Sequence, residues 1–410
     1  ISAAGEELYP HLHAPYYYYI SYQIKKIIII DTYEVSYPGR KKSMKIICEG
    51  IELSDAVMKV VKACSTKTTN PILECIKISA VNDTVELLAT DGEIAIEKKM
   101  RAEVLEEGAI CVPGKYFGDF IKRLENCQVT LATEGDKLNI NYGDSESSLQ
   151  MLNAEDFPSI DMAVNESRVE LLSKDLKELI AKTTFCCAQD DSRPVLKGCL
   201  VQTEEDGRIS FTALDGYRMA VCRKNILSVS GSIRIICPGR TLNEIGRMLG
   251  ADEEPIALYV QKNLLMVSVD DTVLTGRLYE GEFVNVKNIV PREFTSEIVA
   301  DKAALDESVE RAAVMARTDK NSVVTFDIRE DGMNITALTA IGRVDESLKV
   351  NLDGKDVKIA LNCKYVSECL NVIADEQVRI GFNGAVSPCV VTPAEGDSYL
   401  YLILPVRTTG

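Results

Sequence analysis

The chain has 410 residues, a formal net charge of −16 and an apolar content of 46%, enough for two to four domains with sizeable cores. Its two histidines, His11 and His13, both lie in the first 43 residues, so the rest has no Ser-His-Asp or Cys-His pair, no histidine metal site and no imidazole base. Thirteen cysteines with no Cys-x-x-Cys pair and no secretory signal argue against a disulfide framework and for a reducing, cytoplasmic setting.

Residues 1–43 stand apart from the rest of the chain. They hold an aromatic run from Tyr16 to Tyr19, the isoleucines Ile27 to Ile30 and a basic Arg40-Lys41-Lys42 just before Met44. The apolar run is too short to span a bilayer, and the order of charged and apolar segments is wrong for a signal peptide. This stretch is expected to be an upstream extension outside the fold, with the working protein starting at Met44; a short targeting or partner-binding arm is the alternative.

From there the chain repeats itself. The first copy reads as a helix after Ser54, with Val57, Val60, Val61 and Cys64 on one face, a strand over 85–89, and a second helix opened by Pro113-Gly114-Lys115 with Phe117, Phe120, Ile121 and Leu124 as its stripe. In the second copy a helix follows Ser173 (Leu176, Leu179, Ile180), a strand covers 209–213, and Pro238-Gly239-Arg240 opens a helix with Leu242, Ile245 and Leu249. In the third a helix follows Asp301 (Leu305, Val309, Ala312), a strand covers 333–337, and Asn362-Cys363-Lys364 opens a helix with Val366, Cys369, Leu370 and Ile373.

The openings of the second helices recur about 124 residues apart, the mark of a tandem repeat. Ser54, Ser173 and Asp301 can accept free N–H groups of a first turn, so each is expected as an N-cap. The fold class is α+β with more strand than helix: three copies of one domain, at 44–163, 164–294 and 295–410, packed directly on one another. Cysteines such as Cys64 and Cys369 fall on the apolar stripes and read as small hydrophobes.

No Walker loop or dinucleotide glycine fingerprint is present, and no cofactor or metal is expected. The pairs Asp190-Asp191 and Asp270-Asp271 sit beside turn signals and read as solvated loops. The six helices nevertheless carry cations away from their apolar stripes: Lys59, Lys62, Lys115, Lys122, Arg123, Lys174, Lys177, Arg240, Arg247, Lys302, Arg311 and Lys364. If these helices share a side, an acidic exterior encloses a basic interior.

The body, from 44 to about 407, resembles the bacterial DNA polymerase sliding clamp, the processivity factor of the replicative polymerase. The resemblance rests on the threefold repeat and on four motifs: Asn153-Ala154-Glu155-Asp156-Phe157-Pro158, Arg193-Pro194-Val195-Leu196-Lys197-Gly198, Thr212-Ala213-Leu214-Asp215-Gly216-Tyr217-Arg218-Met219-Ala220 and Tyr401-Leu402-Ile403-Leu404-Pro405-Val406-Arg407. It implies antiparallel sheets outside, helices inside, and two subunits closing head to tail into a homodimeric ring around double-stranded DNA. It implies no catalysis, no cofactor and no membrane.

The resemblance further implies a pocket between the second and third repeats for a short peptide from polymerases, the clamp loader, and repair and mismatch-repair proteins. Carried over position by position, its apolar part is Leu196, Leu214, Gly216, Arg218, Met219, Val284, Asn288, Ile289, Val386, Leu402 and Leu404. Its entry is Arg193, Tyr217, Asn362, Tyr365, Pro388, Pro405, Val406 and Arg407. Lys67 and Arg193 are implied as DNA-contacting loop residues, and Leu149 against Val314 and Met315 as the subunit interface. Leu214, Tyr217, Pro388 and Ser147 depart from residues common in the family. A scaffold that does not encircle DNA would need the pocket without the basic lining; an enzyme would need a catalytic constellation that the missing histidines do not supply.

Overall fold

The structure, a computed structural model, describes residues 43–160, 167–190, 192–250, 253–319 and 322–407; most of the proposed leader, residues 1–42, lies outside them. Six α-helices occur among the described residues: α1 Gly50–Val60, α2 Gly114–Ile121, α3 Ser173–Ala181, α4 Gly239–Met248, α5 Lys302–Ala316 and α6 Cys363–Asn371. They pair as α1 with α2, α3 with α4 and α5 with α6. The strands form four antiparallel sheets of five, nine, nine and four strands. The α+β class and the three clamp-like copies are both present.

Helix starts depart from the expected caps in two cases. Asp301 does cap α5, accepting the Ala304 N–H at 2.8 Å. But α1 begins at Gly50, and Ser54 is buried within it, its hydroxyl on Glu125 at 3.0 Å. Ser173 is the first residue of α3 and makes no side-chain cap. The reason is a device common to all three copies, in which a distant carbonyl takes the first helical N–H: Cys127 for Gly50 (2.9 Å), Glu254 for Ser173 (2.8 Å) and Glu376 for Lys302 (2.8 Å). A capping side chain is then unnecessary at that group.

The repeats are joined by strand pairing. The strand Ile94–Arg101 of the first repeat pairs with Thr272–Arg277 of the second, and Arg218–Asn225 of the second pairs with Tyr399–Ile403 of the third. At the first joint Lys99 N–H donates to Asp271 O (2.9 Å) and Arg277 N–H to Glu93 O (2.8 Å); at the second Arg223 N–H donates to Ser398 O (2.7 Å) and Leu404 N–H to Tyr217 O (2.9 Å). The two joints are the same construction, repeated.

Side-chain rows run through these joints without a break. Leu258, Val267, Leu274, Ile96 and Ala89 lie opposite one another across the first, and Ala213, Ala220, Tyr401, Val391, Ile380 and Ile298 across the second. Every one of these belongs to a single buried cluster that also holds the apolar stripes of all six helices. Because side chains alternate along a strand, the helix-bearing face is one face throughout. All six helices lie on the same side.

Among the described residues, the strands equivalent to the joined ones at the two ends are paired on one side only. Gly342–Leu348 of the third repeat corresponds to Ile94–Arg101 and Arg218–Asn225, and is an edge; Ser145–Gln150 of the first corresponds to Thr272–Arg277 and Tyr399–Ile403, and is also an edge. Both alternate between exposed and half-buried residues.

All thirteen cysteines are free, and among the described residues only Cys127 is partly exposed. Burial pushes the Cys75 and Cys222 thiols up to about 11, and those of Cys48, Cys64, Cys111, Cys187 and Cys389 up to about 12. Since the thiolate is the nucleophile, a soluble thiol reagent at mildly alkaline pH should react promptly with about one thiol per native chain, the rest following only on unfolding; several prompt thiols would contradict this burial. Gly50→Ala is expected to lower stability by about 2 kcal/mol or more, because the added Cβ would stand 1.9 Å from Leu124 O and 2.7 Å from Cys127 O, both backbone; denaturant unfolding measures it.

Candidate functional site

On the face opposite the helices, the second joint carries a separate apolar cluster. Leu214 stands opposite Met219, Met219 opposite Leu402, and Leu402 opposite Val390, one residue out of phase with the helix-facing row. Leu196 reaches the same cluster from the short 3-10 turn Pro194–Lys197, Phe283 joins from the segment after Tyr279, and Val284 packs against it half-buried. Leu404, two residues after Leu402, is 37% exposed, and Ile289, next to Val290 which packs on the cluster, is 40% exposed. Asn288, in the 3-10 turn Val286–Asn288, is exposed beside Ile289.

This surface is particular to the second joint. At the equivalent positions of the first joint, by the same pairing, stand Thr90, Ala95, Thr275 and Arg277 in place of Leu214, Met219, Leu402 and Leu404. The chain carries its own comparison: same backbone, no apolar row.

The rim is held by backbone and ring contacts. Asp215 accepts the N–H groups of Tyr217 (2.9 Å) and Arg218 (3.0 Å), closing a turn in which Gly216 has φ +90°, a conformation glycine adopts without strain. Tyr217 stacks on Tyr365 of α6 at 6.3 Å between centroids. The tail is tied down by Leu404 N–H on Tyr217 O (2.9 Å) and Val406 N–H on Ala360 O (2.8 Å), leaving Pro405 and Val406 half-buried and Arg407 exposed. Asn362 caps α6 through Lys364 N–H at 2.9 Å. Arg193 is exposed, Pro388 half-buried, and Val386 stands 84% exposed, apart from the buried cluster.

One expected wall residue is elsewhere. Arg218, adjacent to Met219 on a strand, points to the opposite, helix-bearing face. There it meets Asp215 Oδ2 (3.0 Å), Glu368 of α6 and Phe185 O (2.8 Å), with its guanidinium 4.6 Å from the Tyr365 ring. Burial works to lower its pKa, but the surrounding anions outweigh that and hold it above the usual value. Arg218 therefore locks the second repeat to the third and props the Tyr217–Tyr365 stack. Phe185, Phe283 and Val390 are contributors not anticipated from sequence; the alternation of the strand Cys389–Pro393 could have flagged Val390.

The helices carry cations and carboxylates in nearly equal number, and the expected basic face is only partly free of ion pairs. Of the twelve helix cations and Lys67, seven are neutralised by carboxylates: Lys59 by Asp55, Lys174 by Glu253, Arg240 by Asp91, Arg247 by Glu244, Lys302 by Asp306, Arg311 by Glu307 and Glu346, and Lys364 by Glu368. Lys62, Lys67, Lys115, Lys122, Arg123 and Lys177 are exposed and make no ion pair among the described residues. Five of these six belong to the first repeat. There is no group of three or more His, Cys, Asp or Glu able to hold a metal ion among the described residues, and Asp191 lies outside them. No helix there is long and apolar enough to cross a membrane.

Comparison with known proteins agrees with this architecture. The models of the DNA polymerase III beta subunit match in sequence order, the N-terminal domain at residues 44–161, the central domain at 170–285 and the C-terminal domain at 287–407. The chain belongs to the DNA polymerase III beta subunit family. It is 31% identical over 367 residues to a beta sliding clamp of Halalkalibacterium halodurans, covering 86% of this chain and 96% of the relative, and 32% identical over 360 residues to one of Staphylococcus aureus, covering 85% and 95%. Among solved structures it resembles the DNA polymerase sliding clamp of Bacillus subtilis (TM-score 0.86, 25% identity, 90% of this chain and all of that one) and a putative DNA polymerase III beta subunit of Eubacterium rectale (TM-score 0.85, 29% identity, 89% and all). As a member of this family the chain has a clamp role in DNA replication.

The residues implied for a subunit interface lie on or beside the two edge strands of this chain. Leu149 lies on the edge strand Ser145–Gln150, half-buried. Val314 of α5 is 65% exposed, and Met315 beside it reaches to 3.8 Å from where a Cβ on Gly342 would stand, on the other edge strand. Glu368→Ala is expected to destabilise the joint between the second and third repeats by about 3 kcal/mol, since it leaves the buried Arg218 short of a carboxylate; native-state hydrogen exchange in the strand Tyr399–Ile403 reads this, and unchanged protection there would contradict it.

Proposed function

We propose that this clamp closes as a head-to-tail homodimer around duplex DNA, without catalytic activity, tethers the replicative polymerase, and recruits the clamp loader and repair proteins by short peptides bound at the apolar surface between the second and third repeats. The observation that carries the ring is that both internal joints are built alike and the two strands needed for a third are edges at the two ends, each paired on one side only. Applying the register of the internal joints to a second copy sets Val344 opposite Ser147, and Gly342 opposite Leu149. Leu149 would then pack over a glycine, against Met315. Such an edge pairing satisfies backbone groups that otherwise present a template for aggregation.

The ring explains how an acidic protein works on DNA. Topological enclosure needs no tight phosphate contact, so partial neutralisation of the lining by carboxylates keeps affinity low and sliding fast. Sequence is not read. The peptide reading is supported by the row Leu214, Met219 and Leu402, which the first joint lacks, and by the exposed Leu404 and Ile289 beside it: aliphatic anchors of a peptide are bound in this way, with polar groups of the rim orienting its backbone.

Two measurements test these readings. Fluorescence anisotropy with a labelled Gln-Leu-Ser-Leu-Phe peptide should give saturable binding, weakened about tenfold or more by Met219→Asp and unaffected by Thr90→Ala at the equivalent first-joint position; no binding by folded protein would contradict the pocket. Neutralising Lys62, Lys115, Lys122 and Arg123 together should weaken loading and retention on circular DNA more than neutralising Lys174, Arg240, Arg247 and Arg311; the reverse order would contradict a lining whose free charge sits in the first repeat.

A further inference from the structure

We propose that the closing joint between two copies is latched by apolar packing, Tyr116 of one copy against Ile341 and Val314 of the other, where the joint between the first and second repeats uses an ion pair. The inference rests on the ring reading and specifies its chemistry. Its basis is the way each joint is braced on the helix side by the start of a helix.

At the first joint the brace is Arg240, second residue of α4. Its guanidinium meets Asp91, in the turn Asp91-Gly92-Glu93, and the Lys62 carbonyl at 3.4 Å. At the second joint the brace is Tyr365, third residue of α6, stacked on Tyr217 of the turn Asp215-Gly216-Tyr217 with an interplanar angle of 25°. Pairing fixes the correspondence: Ala89 with Ile96, Ala213 with Ala220 and Ala337 with Val344 enclose the three turns. The third turn is therefore Thr339-Ala340-Ile341. It has threonine where the others have the aspartate, and isoleucine at the stacking position.

The helix start that would brace this turn is that of α2 in the second copy. Lys115 corresponds to Arg240 and Lys364, and Tyr116 to Tyr365. Counting from the starts of α1 and α5, Val314 corresponds to Lys62, whose carbonyl completes the first brace. Lys115 thus meets no carboxylate in the turn, whereas Tyr116 meets Ile341 as Tyr365 meets Tyr217. In the single chain Tyr116, Ile341 and Val314 are 66%, 68% and 65% exposed; large apolar groups so exposed and brought to one place by symmetry mark an interface. A second copy is the occupant because two matched edge strands already require it.

An apolar latch and an ionic one differ in salt dependence, since ion pairs at a protein surface are screened. Sedimentation equilibrium of the full chain should give a dimer that is no weaker in molar salt than in dilute salt. Tyr116→Ala and Ile341→Ala should each weaken it about tenfold or more. Tyr116→Lys and Ile341→Glu should each weaken it singly and restore it when combined, the restored dimer now being salt-sensitive; circular dichroism confirms that each variant is folded. A dimer that survives both alanine variants but is lost on Leu149→Arg would overturn the latch and leave the ring standing. A wild-type chain that stays monomeric at high concentration would overturn both.

Discussion

An antiparallel strand at the edge of a sheet carries backbone N–H and C=O groups that must find partners, and in this chain three domains are held in line by meeting that requirement. The joint is backbone-made. It uses a fixed register and the same two flanking hydrogen bonds, Lys99 to Asp271 and Arg277 to Glu93 in one case, Arg223 to Ser398 and Leu404 to Tyr217 in the other. Side chains at each joint are consequently free to differ, and they do: an ion pair braces one, a stack of tyrosines the other.

The two-residue period of a strand then separates the functions. Ala220 and Tyr401 point to the helices and the main core, while Met219 and Leu402, one residue away, point outward into a second apolar cluster. A single pairing event thus builds a helix-bearing face and, opposite it, a second apolar cluster, and Arg218, on the helix side, couples them by gripping Glu368 and stacking on Tyr365. A partner that displaces the Tyr217–Tyr365 rim touches the same joint that keeps the second and third repeats aligned.

Much of this is legible in the sequence, and the failures have physical causes. The helices opened by Pro113-Gly114 and Pro238-Gly239 can be read because apolar stripes and breakers agree, and because glycine is needed there for close approach: a Cβ on Gly114 would come 2.5 Å from Cys64 Sγ. The start of α1 is misplaced at Ser54 because the carbonyl of Cys127 does what a capping side chain does elsewhere, and a long-range hydrogen bond leaves no local signal. Arg218 is assigned to the groove wall through resemblance, although its alternation with Met219 already places it on the other face. The pairing of Leu274 with Ile96 joins strands far apart in the chain, which no periodicity can register; the likeness of the repeats can reveal it only once one joint has been seen.

The central claim is that a second copy completes a third joint in the register of the first two. In that register Val344 and Ser147 of opposing copies form a non-hydrogen-bonded pair, with Cβ atoms about 4.5–5.5 Å apart, within reach of a disulfide after small adjustment, and the buried native thiols compete little. Val344→Cys with Ser147→Cys, oxidised after loading on nicked circular DNA, should give a covalently closed dimer that survives high salt on the circle and is released when the DNA is cut. Failure to form the cross-linked dimer, or its equal loss from circular and linear DNA, would contradict the ring.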